Sequence, residues 1–111
     1  MKITKLFIIL FFSLLLVAEE CSNDVVESVV IAPNPVADHF ELTFILKTDA
    51  ELTITIYDMN GNVMIQPANS ISYRAGENNL HVETGTLQSG AYILVVNNPS
   101  FLIREKFIVV H

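Results

Sequence analysis

Three histidines, one cysteine and a surplus of carboxylates are the residues with chemistry to offer. His39, His81 and His111 have no partner at the spacing of a metal-ligand motif. His39 and His81 fall at strand positions whose neighbours point inward, so both are expected to face solvent. No Gly-x-Ser-x-Gly elbow is present, and Cys21 precedes any foldable sequence. Glu77 and Glu83 are a candidate acid pair. Glycoside chemistry, however, needs two carboxyls flanking a cleft, one of them held protonated, and a domain this small rarely has room for one. Asp49, Asp58, Asn60 and Asn62 lack the spacing and the terminal glutamate of a calcium loop. None of the four glycines sits in a phosphate cradle. The residue inventory therefore predicts a protein that is not an enzyme and carries no metal or cofactor. What remains is a binding surface.

The elements that must position such a surface begin late in the chain. Lys2 and Lys5 precede an apolar run from Leu6 to Ala18, and Glu19-Glu20 follow. A basic start, a short greasy centre and a small residue before polar sequence predict a signal peptide over residues 1–18. The run falls short of the roughly 20 apolar residues of a membrane helix, so no integral membrane segment is expected in the mature chain. Cleavage after Ala18 removes two lysines and no acid, taking the net charge from −6 to −8. That charge argues against a nucleic-acid partner, because phosphate binding needs Lys and Arg. Glu20 occupies the place where an acylation signal puts a small residue, so Cys21 reads as a free thiol in a tail over residues 19–28. A lone cysteine allows no internal disulfide.

Beyond the tail, period-two alternation and β-branched residues dominate. Val25–Ile31 is a first apolar run, ended by Ala32-Pro33-Asn34-Pro35, whose prolines bar it from a central strand. Phe40, Leu42, Phe44 and Leu46 form one apolar face, and Leu52, Ile54 and Ile56 another. Asp58-Met59-Asn60-Gly61-Asn62 predicts a tight hairpin leading into Val63–Ile65. Gln66 to Asn79 reads as weakly patterned and mobile, with at most a short edge strand at Ile71–Tyr73. Leu80 and Val82 make a short strand, Ala91–Val96 a central one, and Phe101–Val110 the last. About seven short strands at spacings of about 8–12 residues predict an all-β antiparallel sandwich. Ile54, Ile56, Leu80, Val82, Tyr92, Leu94 and Phe107 are expected in its core. Tyr92, just after Gly90, fits a tyrosine that crosses a corner to bond upstream backbone. The aromatics Phe40, Phe44, Tyr57, Tyr73, Phe101 and Phe107 read mostly as core, with Tyr57 and Tyr73 the two that could reach the surface.

Three places together resemble a known family. They are Ala32-Pro33-Asn34-Pro35-Val36 with the Phe40–Leu42 strand, Leu52-Thr53-Ile54-Thr55-Ile56-Tyr57-Asp58-Met59-Asn60-Gly61-Asn62-Val63, and Gly76-Glu77-Asn78-Asn79-Leu80 with Leu87-Gln88-Ser89-Gly90-Ala91-Tyr92 and the closing Lys106-Phe107-Ile108-Val109-Val110. In this order and spacing they resemble the C-terminal sorting domain, type A, of the type IX (Por) secretion system of Gram-negative bacteria, over about Val29 to Val110. The resemblance implies an Ig-like sandwich over residues 29–111 that catalyses nothing. Such a domain is carried across the inner membrane into the periplasm and read by outer-membrane secretion machinery. A sortase-type peptidase acts on it, with the cell surface or medium as destination. The surface so read is expected to include Pro33, Asn34, Pro35, Gly90, Tyr92, Lys106, Ile108 and Val110. The sequence departs from the pattern in carrying no cargo ahead of the domain and in ending Val109-Val110-His111. A second resemblance, to small stand-alone secreted or periplasmic Ig-like binding modules of adhesin or inhibitor type, shares the Asp58 turn and the Gly90-Ala91-Tyr92 corner.

Overall fold

The computed structural model describes residues 24–111. The signal peptide expected over residues 1–18, Cys21 and the first part of the tail lie outside them. Seven strands follow one another: β1 (Val26–Ala32), β2 (His39–Leu46), β3 (Ala50–Asp58), β4 (Val63–Tyr73), β5 (Gly76–Glu83), β6 (Gly90–Asn98) and β7 (Phe101–Val109). They form two sheets, ordered β1-β2-β5 and β4-β3-β6-β7. Every pairing between these strands is antiparallel. No helix occurs among the described residues, and so none there is long and apolar enough to cross a membrane.

The alternation seen in the sequence sets the two inner faces, because successive side chains leave a strand on opposite sides. Phe40, Leu42, Phe44 and Leu46 from one sheet meet Leu52, Ile54, Ile56, Leu94, Val96 and Phe107 from the other, and all are buried. Phe107 ties the layers together. Its ring centroid lies 5.3 Å from Phe40 across the interface and 5.9 Å from Tyr92 on the neighbouring strand. At the other end Phe44 meets Tyr73 edge-on at 4.9 Å, which makes Tyr73 a core-edge ring. Leu80 is only half-buried although it packs on the core. It lies on β5, which among the described residues is an edge strand with no neighbour on its outer side.

The segment read as mobile is instead most of β4 and the first half of β5. β4 runs unbroken through Pro67. It can do so because it is the sheet's outer strand, where a missing amide donor costs no ladder bond. Its pairing with β3 slips three times. At those slips the side chains of β3 help hold β4: Gln66 Nε2 donates to Thr55 Oγ1 (3.1 Å), and the Ser70 amide donates to Thr53 Oγ1 (3.0 Å). Such local bonding hides a strand from periodicity, since each bulge shifts the apolar phase. The hairpin before it is as expected. Asp58 Oδ1 accepts the amides of Asn60 and Asn62, Oδ2 accepts Asn62 Nδ2, and Gly61 takes φ 88°. The Asn62 side-chain bond, with these amides, holds the Asp58 carboxyl below its ordinary value.

Candidate recognition surface

The predicted surface residues come from three separate stretches of sequence, and the fold brings most of them to one end of the sandwich. Pro33, Asn34 and Pro35 occupy the exposed connection between β1 and β2. The next residue, Val36, is fully buried. Its amide donates to the Ile108 carbonyl (2.7 Å), and its own carbonyl accepts the Val110 amide (2.8 Å). This isolated parallel bridge fastens the proline loop along the outer edge of the last strand.

The β5–β6 corner closes the same end. The Thr84 amide donates to the Asp38 carbonyl (2.7 Å), and Thr84 Oγ1 donates to the Ala37 carbonyl (2.9 Å). The Tyr92 hydroxyl donates to the Gln88 carbonyl at 2.6 Å. Tyr92 itself is 6% exposed, so it shapes this end from inside. Gly90 is exposed opposite Val109. His111 completes the closure. Its amide donates to Ser89 Oγ (3.0 Å), Nε2 lies 2.7 Å from the Leu87 carbonyl, and Nδ1 lies 3.7 Å from Asp38.

Ile108 and Val110 are 46% and 53% exposed and point away from the core, while Phe107 and Val109 point into it. Lys106 shares the outward face but lies further along β7, opposite Ile93. The sequence reading included Val36 in the family pattern and His111 among the histidines but gave neither a place in this surface, and it left Thr84 out. Nothing marked Thr84, whose role depends on a loop 47 residues away.

On the outer face of the other sheet His39 stacks on His81 at 5.0 Å. His81 Nδ1 lies 2.5 Å from Glu41 and Nε2 lies 2.7 Å from Glu83. With a carboxylate at each nitrogen, the protonated ring donates from both at once, which favours the charged form. The hydrogen bonds to Glu41 and then Glu83 raise its pKa. Among the described residues no three His, Cys, Asp or Glu side chains are placed to share a metal ion.

A family model, the secretion system C-terminal sorting domain, matches residues 30–110. The chain belongs to this family. It is a type IX secretion sorting domain, with a sorting signal's role and the export to the cell surface or medium that this role entails. The match begins within β1 and ends one residue past β7, so it takes in both halves of the joint between the proline loop and the last strand. No curated protein matches the chain.

Proposed function

We propose that residues 29–111 are a non-catalytic recognition module, read at the end where the Pro33–Pro35 loop meets the last strand. The observation that carries this reading is the Val36 bridge to Ile108 and Val110. It joins the loop after the first strand to the end of the last into one exposed surface, with Gly90 beside it and Tyr92 at the same corner. A surface assembled from two stretches so far apart in sequence exists only in the folded domain. Residues 1–18 carry the chain into the periplasm. Outer-membrane secretion machinery then binds the module, and a sortase-type peptidase acts on it at the surface.

The test is a fusion of residues 19–111 to a periplasmic reporter in a cell competent for type IX secretion. The reporter is expected at the cell surface or in the medium. Retention in the periplasm would overturn the sorting reading and favour a stand-alone binding module.

A further inference from the structure

The last strand has two kinds of edge. Between Ile108 and Val110 its outward backbone groups are taken by Val36. Since N–H and C=O groups alternate sides along a strand and β7 pairs with β6 without a register shift, the groups of Leu102, Arg104 and Lys106 point to the same outer side. No backbone group among the described residues pairs with them there. The other edge of this sheet, β4, is blunted by Pro67 and three slips. β7 has neither.

We propose that the edge from Leu102 to Lys106 takes up one more antiparallel strand, supplied by an extended acidic segment of another protein. The proposal rests on the reading that the last strand belongs to the recognised surface. Backbone bonds give such an added strand its affinity, and alternate side chains give it specificity. The specificity here is electrostatic. The chain carries net charge −6 and six Lys and Arg residues in all, yet two of these stand two positions apart on the outward face of this edge. A second copy of the chain is a poor occupant, because antiparallel self-pairing centred on Arg104, Glu105 or Lys106 sets Arg104 or Lys106 opposite another cation. A segment with carboxylates opposite Lys106 and Arg104 pairs with them instead. Leu102 is 54% exposed and, with Arg104, borders an outer-face groove of about 330 Å³ whose apolar walls include Tyr57, Ile93 and Val95. The residue opposite Leu102 is therefore apolar. Antiparallel pairing is the more stable direction per residue.

The probe is a synthetic peptide, Ser-Thr-Glu-Thr-Glu-Thr-Val-Thr-Ser, added to the full chain as the cell processes it and followed by amide chemical shifts. Saturable shifts are expected at Leu102, Arg104 and Lys106, with affinity falling several-fold from low to high salt. Arg104→Glu with Lys106→Glu should lose binding several-fold and gain it for the same peptide with lysines in place of its glutamates. Both side chains are exposed, so the fold survives the change. Methylating the peptide's Glu and Val amide nitrogens, which face β7, should abolish binding. Absent shifts, equal binding of the acidic and basic peptides, indifference to methylation, or a dimer formed through this edge would each overturn the proposal. Export is read separately on the reporter fusion. Normal export of the double variant together with absent peptide binding to the unaltered chain sinks the strand pairing and leaves sorting intact. Peptide binding with a retained wild-type reporter does the reverse.

Discussion

At the residue scale, position decides whether a side chain serves the fold or the surface. Ile108 and Phe107 are adjacent in sequence, yet one is 46% exposed and the other 1%. Ile108→Asp is therefore expected to change stability by no more than about 0.5 kcal/mol, as surface changes do, while blocking export of the reporter. Thermal unfolding and localisation of the one variant check both halves, and normal export would remove Ile108 from the mechanism. Two titratable residues are expected to shift stability with pH in opposite senses. His81 binds its proton more tightly when folded, between Glu41 and Glu83. Its contribution is complete below the ordinary value of 6.5 and is lost as pH rises through the raised folded value. Unfolding melts of wild type and His81→Asn should thus differ most in mildly acidic buffer, while the glutamates are still ionised, and converge in alkaline buffer. Asp58 binds its proton less tightly when folded. Its contribution is present above the ordinary carboxylate range and disappears as pH falls through the depressed value. Asp58→Ala should accordingly be destabilised near neutral pH and approach wild type in strong acid.

At the scale of elements, edges and corners matter more than strand interiors. The ladder of β6 with β7 is regular over nine residues on each strand, and the irregularity that defines the surface comes from a residue outside any named strand, Val36. Truncating it to alanine removes two buried methyl groups, a loss of about 1.6 kcal/mol at about 0.8 kcal/mol per buried carbon. It should also loosen the bridge, so the Val110 amide, which bonds the Val36 carbonyl, is expected to exchange with solvent faster than in wild type while amides in β3 keep their protection relative to the new global stability. Unchanged exchange at Val110 would mean the loop is held by Thr84 and His111 without Val36. Pro67 shows the converse case. A proline in the middle of an eleven-residue strand argues against a strand on sequence grounds, and only its place on the outer edge makes it acceptable.

At the scale of the whole molecule, one small core serves two sheets and no disulfide within the domain reinforces it. Phe107 touches both layers through Phe40 and Tyr92, so Phe107→Ala is expected to cost about 3–5 kcal/mol. That is a large part of the 5–15 kcal/mol typical of a domain, and denaturant titration should show one broadly destabilised transition instead of local loss. The sequence alone determined the all-β class, the inward faces of β2, β3 and β6, the Asp58 hairpin and the Tyr92 corner. Period-two alternation and turn chemistry are local properties, and a chain of this composition satisfies them in few ways. It also carried the family pattern, because the residues of that pattern are largely these turns and inner faces. What only the tertiary structure decided is which strands are edges. β4 through Pro67, the half-burial of Leu80, the outward face of Ile108 and the meeting of the proline loop with the last strand all depend on which neighbour a strand lacks. That is settled by pairing between segments far apart in sequence, where loop closure and the packing of two sheets, not local periodicity, choose the partner.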